Sequence, residues 1–317
     1  MLVGDMISST AFRFPHRTGI VDEHGMRLTW QQMDSRINSL AHAFIEMGIK
    51  RQETVAMLAE NCAQYAEFLF AAAKSNTIAA GLNYRLTPEQ LLIQIDDCRP
   101  KAIIVQKKYA ELIEPIISRL KEVKVFIGFG EGHRFEHDYE TLIKKFPATE
   151  PDVEIDENDI HTITYTSGTT GAPKAVVVTH RTQVARAIQM NFALRFTPEE
   201  TIISSLPMYA FGGQMPIFTY TMIGATIVSL VLKGKSLVEL TESERVTTHF
   251  LTPSRLKMMK DYVAESDREY DLSSVRKVVV SNQAAYEDDL RELVNFFPAL
   301  EYSGILRGFG SSETGLY

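Results

Sequence analysis

The sequence predicts an α/β fold of two doubly wound, mainly parallel sheets packed through helices. Three observations predict it. The 317 residues carry an ordinary globular balance of 45% apolar to 23% charged. Short apolar runs alternate with helical patterns along the chain, and there are more such runs than one small sheet can hold. At about 150 residues per domain, this length fits two units. Strands in βαβα order are expected to run parallel, with helices on their faces and ligands at their carboxyl ends.

The first signal is a hairpin, residues 18–21 and 26–28 flanking Asp22-Glu23-His24-Gly25. A helix follows: Thr29 and Gln32 fit a capping box, Ile37, Leu40, Ala41, Phe44 and Ile45 recur at helical spacing, and Gly48 stands where a C-cap belongs. Residues 55–59 read as a strand and Asn61 as the cap of a helix through Lys74. Thr87-Pro88-Glu89-Gln90 opens another helix with proline at its first position. Residues 102–105 and 123–127 are further strands, separated by a helix through Leu112, Ile116 and Leu120. Glu150, Asp152, Glu154, Asp156, Glu157 and Asp159 then lie together without a Lys or Arg, and are expected to form a solvated linker. The alternation resumes at 160–165, 175–178, 201–206, 225–231, 246–250 and 275–280. No internal repeat or low-complexity tract interrupts it.

Composition narrows the function. A net charge of −7 is the wrong sign for a phosphate-backbone binder, so nucleic acid is not expected as a partner. The 2 cysteines cannot make a disulfide framework, and no Cys/His cluster has zinc spacing, which points to a reducing cytosol. His133 and His137 are expected to be solvated. Asp5 interrupts what an export signal would need. Residues 201–232 hold no charge, longer than the roughly 20 residues of a membrane helix. Pro207, Gly212, Gly213, Pro216 and Gly224 cut that segment into strand, loop, helix and strand lengths, so it is expected in a buried crevice and no transmembrane segment is expected.

The most informative stretch is Tyr165-Thr166-Ser167-Gly168-Thr169-Thr170-Gly171-Ala172-Pro173-Lys174, directly after an apolar strand. Gly168 and Gly171 permit the close-approach backbone that aims N–H groups into an anion nest. The hydroxyls of Thr166, Ser167, Thr169 and Thr170 can donate to phosphate oxygens, and Lys174 adds a point charge. A plain polar turn has similar composition, but it does not require ten such positions ending in Pro-Lys. The glycine spacing is not that of a Walker A loop.

The run YTSGTTGAPKAVVVTH, residues 165–180, resembles the signature of adenylate-forming enzymes, especially AMP-forming acyl-CoA synthetases. Asn83-Tyr84-Arg85-Leu86-Thr87, Leu206-Pro207-Met208, Thr252-Pro253-Ser254 and Phe309-Gly310-Ser311-Ser312-Glu313 extend the resemblance over nearly the whole chain. It implies a two-step reaction: a carboxylate attacks the α-phosphate of Mg-ATP, giving acyl-adenylate and pyrophosphate, and the thiol of coenzyme A then displaces AMP. It also implies roles. Residues 166–174 would hold the β- and γ-phosphates, with Lys174, Ser312 and Glu313 catalytic and Glu313 ligating Mg2+. Phe309, Gly310, Ser311, Asn282, Gln283 and Ala284 would border the nucleotide. Tyr209, Phe211, Gly212, Gly213, Arg307 and Gly308 would border a small-molecule carboxylic acid, with fatty or aryl acids expected. The resemblance divides the chain into a unit of residues 48–196 carrying the loop and a second of 1–47 with 197–317.

Several positions depart from the family pattern. Ala175 follows Lys174 where the family usually has glycine, and Ser281-Asn282-Gln283-Ala284-Ala285 lacks two glycines of the usual Ser-Gly-Gly-Ala-Pro. Ala210 stands where many relatives carry histidine. Tyr317 comes four residues after Glu313, so these 317 residues do not include the small domain that bears the family's adenylation lysine. The expectation is therefore the N-terminal, nucleotide-binding portion of such an enzyme, nearly inactive alone. Two alternatives stay open: an adenylation domain that loads a carrier protein, and a nucleotide-binding module without turnover.

Overall fold

Parallel strands need crossovers of a dozen or more residues, whereas a short connection forces strands to turn back antiparallel. Both patterns occur in the computed structural model, which describes residues 1–23, 25–166, 174–229, 234–280, 286–308, 310–311 and 315–316. Its strands begin with the hairpin β1 (Thr18–Asp22) and β2 (Arg27–Thr29). There follow β3 (Thr54–Leu58), β4 (Ile78–Gly81), β5 (Ala102–Gln106), β6 (Val125–Phe129), β7 (His137–Asp138), β8 (Ile160–Thr166) and β9 (Lys174–Thr179). The remainder are β10 (Thr201–Ser204), β11 (Thr226–Ser229), β12 (Thr248–Leu251), β13 (Lys277–Val280), β14 (Ile305–Arg307), β15 (Gly310–Ser311) and β16 (Gly315–Leu316).

Among the described residues these make two seven-stranded sheets, in the orders β7-β6-β5-β3-β4-β8-β9 and β14-β13-β12-β10-β11-β1-β2, and the separate pair β15-β16. Pairing within the large sheets is parallel except at one edge of each, β8 with β9 and β1 with β2. The sheets are doubly wound and meet through helices, as expected. Every residue of β3 and of the helix Ala63–Ser75 is buried, because that helix is sandwiched rather than laid on a surface. One hydrophobic cluster joins Ile20, Ile202 and Ile227 of one sheet to Val55, Met57 and Ile104 of the other, through Trp30, Phe44, Phe70 and Phe218. Phe70 and Phe218 meet edge to face at 5.4 Å.

Helix Trp30–Glu46 starts as expected, with Gln32 N–H donating to the Thr29 hydroxyl at 3.2 Å and Thr29 N–H to Gln32 Oε1 at 2.8 Å. Other expectations need correction. The strands at 160–165 and 175–178 are antiparallel, since the connection between β8 and β9 is too short for a crossover. The helix expected through Leu120 is only Ala110–Ile113, continued by a 3₁₀ turn over Glu114–Arg119, because Pro115 cannot donate in a helix interior. Asn61 is not a cap; helix Ala63–Ser75 starts from Cys62 without a side-chain cap. The acidic stretch is partly pinned: Glu150 binds the Lys74 ammonium at 2.5 Å, and Asp159 binds Arg51 at 2.8 Å. His133 is not solvated; its ring packs over Gly128 and its Nε2 meets Asp138 at 3.1 Å. Residues 201–232 give β10, the helix Phe211–Ile223 and β11, and no described helix is long and apolar enough to cross a membrane.

Candidate functional site

In doubly wound sheets the strand carboxyl ends are where loops can surround a ligand. At the end of β8, Thr166 pairs directly with Lys174 of β9, and the Thr166 hydroxyl donates to the Lys174 carbonyl oxygen at 3.4 Å. The hairpin is thereby closed at its neck, with Lys174 exposed. Behind the neck, Tyr165 is buried and its phenol donates to Asp97 Oδ2 at 2.6 Å and to the Gln94 carbonyl at 3.3 Å. Burial, reinforced by Cys98 and Asp97, pushes that phenol far above its ordinary pKa, so it stays a donor. The Gln94 side chain donates to the Gly81 carbonyl at 3.0 Å and accepts from Asn83 N–H at 3.1 Å, which ties the ends of β4 and β8 to one helix, Pro88–Cys98.

The carboxyl ends of the two sheets approach each other here. Asn61, just past β3, donates from Nδ2 to the Leu206 carbonyl at 2.8 Å and accepts from Met208 N–H at 2.8 Å. A primary amide carries its donor and its acceptor on separate atoms, so it can satisfy a backbone C=O and a backbone N–H together. Close approach explains two glycines. A Cβ on Gly81 would stand 2.9 Å from the Tyr209 backbone and 2.6 Å from the Tyr65 hydroxyl, and one on Gly213 would stand 2.2 Å from the Pro207 carbonyl oxygen.

Of the expected acid-binding residues, Tyr209 packs edge-on against Tyr84 at 5.2 Å, and Tyr84 stacks on Tyr109 at 4.9 Å. Glu60, which is buried, accepts from Tyr109 at 3.0 Å and pairs with Lys108 at 2.6 Å. Phe211, Gly212 and Gly213 form the first turn of helix Phe211–Ile223, whose cap Ala210 offers no side-chain acceptor. Phe211 faces elsewhere, under the Arg186 guanidinium at 4.9 Å. Arg307 is exposed at the end of β14, and Gly308 N–H donates to the Val280 carbonyl at 2.9 Å. Gly310 and Ser311 form β15. Ser167, Gly168, Thr169, Thr170, Gly171, Asn282, Gln283, Ala284, Phe309, Ser312 and Glu313 lie outside the described residues. Among the described residues no group of three or more His, Cys, Asp or Glu side chains could hold a metal ion.

Sequence reasoning missed four residues at this seam: Asn61, Tyr65, Gln94 and Arg255. Tyr65 Oη and Gln214 Nε2 are buried without a partner, and Gln214 Oε1 accepts from Thr164 of β8 at 3.4 Å. Arg255 follows Thr252-Pro253-Ser254 in the first turn of helix Pro253–Ala264 and is 7% exposed. Its Nη2 donates to the Ser205 carbonyl at 3.1 Å, while Nη1 and the Ser205 hydroxyl have no partner. The signal for Arg255 was in the sequence: a cation at a helix N-terminus opposes the macrodipole and needs a reason.

The description "AMP-binding enzyme" belongs to the family model that matches residues 7–317. Among similar proteins, "Probable acyl-activating enzyme 21" of Arabidopsis thaliana is 28% identical over 71% of this chain and 42% of its own length. "Medium-chain-fatty-acid--CoA ligase" of Ectopseudomonas oleovorans is 26% identical over 86% of this chain and 51% of its own length. The chain thus spans about half the length of the curated relatives it matches. Among solved structures, the inhibitor-bound N-terminal domain of FACL13 from Mycobacterium tuberculosis superposes with a TM-score of 0.85 at 23% identity, over 98% of this chain and 75% of that one. The long-chain-fatty-acid-CoA ligase FadD1 from Archaeoglobus fulgidus gives 0.89 at 18% identity, over 98% and 64%. These structural likenesses carry the fold.

Proposed function

The chain belongs to the AMP-binding enzyme family, and from that premise we propose that it is the nucleotide-binding N-terminal part of an acid–thiol ligase that activates a carboxylic acid as its acyl-adenylate for transfer to coenzyme A. The observation that carries the reading is the family match across residues 7–317. The hairpin β8–β9 supports it, since Thr166 and Lys174, which flank the glycine- and hydroxyl-rich run, pair directly with each other.

In this reading residues 166–174 grip the β- and γ-phosphates through backbone N–H groups, hydroxyls and the Lys174 ammonium. Phe309, Gly310, Ser311, Asn282, Gln283 and Ala284 border the nucleotide. Tyr209, Phe211, Gly212, Gly213, Arg307 and Gly308 border the acid. Ser312 directs its hydroxyl at phosphate, and Glu313 ligates Mg2+. One carboxylate together with the nucleotide's own phosphate oxygens is a donor set that suits Mg2+, which would neutralise charge on the leaving pyrophosphate. A carboxylate oxygen attacks the α-phosphorus, the bond to pyrophosphate breaks, and a thiolate later forms the thioester as AMP leaves. Charge develops on phosphate oxygens throughout, so donors fixed in advance are what the site contributes. The units 48–196 and 1–47 with 197–317 are proposed as its two halves, in a cytoplasmic protein.

The test is calorimetry of this chain with ATP and AMP, followed by ATP–pyrophosphate exchange with a carboxylic acid after supplying a C-terminal region from a relative. Nucleotide binding that weakens in Lys174→Ala, with exchange that depends on the acid, is the expected result. Absence of nucleotide binding, or exchange indifferent to Lys174, would overturn the proposal.

A further inference from the structure

Two other cations held largely out of solvent, Lys74 and Arg36, are matched by acids. Lys74, with 1% of its side chain exposed, meets Asp34 at 2.7 Å and Glu150 at 2.5 Å, and Arg36 meets both Glu67 and Glu140. Arg255 has no such match. Among the described residues its guanidinium donates to the Ser205 carbonyl, its Nη1 has no partner, and no carboxylate forms an ion pair with it. The charged neighbour whose field it feels is another cation, Arg85, which projects from the turn after β4 of the opposite sheet. Burial and then Arg85 push the guanidinium down to about 10, which still leaves it charged near neutrality. The first turn of a helix is a third unfavourable influence on a cation. Of the residues outside the described set only Glu313 is acidic, and it is assigned above to Mg2+.

Fully buried arginine is rare unless paired, and an uncompensated charge costs stability. The missing anion has a place. Ser205 follows β10, Arg255 follows β12, and these strands are neighbours whose carboxyl ends open on the seam. Ser205, 1% exposed, adds an unpartnered hydroxyl beside the unpartnered guanidinium N–H. A guanidinium and a hydroxyl side by side suit a carboxylate. They belong to the sheet that does not carry the phosphate loop, as the far end of a substrate activated at that loop requires. Resting on the reading that this seam takes a carboxylic acid, we propose that Arg255, with Ser205, binds a second carboxylate at the distal end of that acid, so that the preferred substrates are dicarboxylic acids.

Calorimetry on this chain, with and without ATP, would compare succinate, adipate and suberate with hexanoate and octanoate, for the wild type, Arg255→Gln and Arg255→Lys. The proposal expects at least one dicarboxylate to bind more tightly than the monocarboxylates. Arg255→Gln should weaken that binding by about 30-fold or more while leaving monocarboxylates within about twofold. Arg255→Lys, which keeps the charge but loses the planar fork, should fall between. Because the charge is uncompensated, the melting temperature of Arg255→Gln should hold or rise; a structural arginine would instead lower it. Equal losses for both acid classes, no dicarboxylate binding, or a lowered melting temperature would each overturn the proposal. So would Arg255-dependent binding of adenosine 3′,5′-bisphosphate with dicarboxylates unaffected, which would give the site to a phosphate of the thiol substrate. ATP binding without dicarboxylate binding sinks this inference and leaves the ligase reading standing; Arg255-dependent dicarboxylate binding without ATP binding does the reverse.

Discussion

Lys174 sits at the neck of a closed hairpin with its side chain in solvent, so its removal should disturb ligand and not fold. Lys174→Ala is expected to weaken ATP by roughly 10- to 100-fold, the loss of one charge-assisted contact of about 1.5–3 kcal/mol, with an unchanged melting curve. Asn61 is the opposite kind of residue. Its amide clamps the backbone of Leu206 and Met208, and Asn61→Ala leaves a buried N–H and C=O unsatisfied, for a loss of about 2–4 kcal/mol in urea unfolding. His161, His180 and His249 are buried neutral imidazoles. Desolvation lowers them from 6.5 to about 3, about 4 and about 3 respectively, with His180 adding to the shift of His161. The unfolded chain binds these protons below pH 6.5 and the folded chain does not until far lower. Stability is therefore present in full above about pH 6.5 and lost on acidification, by about 2 kcal/mol per imidazole between pH 6.5 and 5. Urea titrations at those two pH values check it; a flat profile would refute it.

At the scale of elements, what was legible was what the chain encodes locally. Helix Trp30–Glu46 announces itself through Thr29 and Gln32, and Pro88–Cys98 through Thr87, Pro88 and Gln90. The N-terminal helix Val3–Arg13 does not. It starts from Leu2, whose side chain offers no cap, and carries the poor helix formers Gly4, Ser8, Ser9 and Thr10, so its helicity comes from burial of Val3, Met6 and Ile7 against the core. Strand β4 is too short and too rich in alanine for a β pattern, and takes its conformation from pairing with β3 and β8. The site shows the same division. A consecutive run such as residues 165–174 can be singled out from sequence, whereas Asn61, Tyr65, Gln94 and Arg255 come together only through the meeting of two sheets. The start of helix Phe211–Ile223 is held by the turn before it: a methyl group on Gly213 would strike the Pro207 carbonyl, side chain against backbone, so Gly213→Ala should cost about 3 kcal/mol in thermal unfolding, and Tyr209 should shift with it.

Over the whole molecule, the hydrophobic cluster runs through both sheets without a break, so they are expected to unfold together in one transition. A ligand that binds only the folded chain raises that transition by mass action. ATP at a hundred times its dissociation constant should add about 2.7 kcal/mol, read as a rise in melting temperature that Lys174→Ala diminishes. The Lys74 ammonium draws distant segments to one point: Ser8 of the first helix, Asp34 and Asn38 of the second, and Glu150 of the acidic stretch. Shortened forms of the protein must respect that junction. A version begun at Phe14 would strip away Ser8 and open a wet channel down to an amine that the fold keeps dry, so trimming the amino end, ordinarily harmless in the laboratory, would here loosen the middle of the molecule.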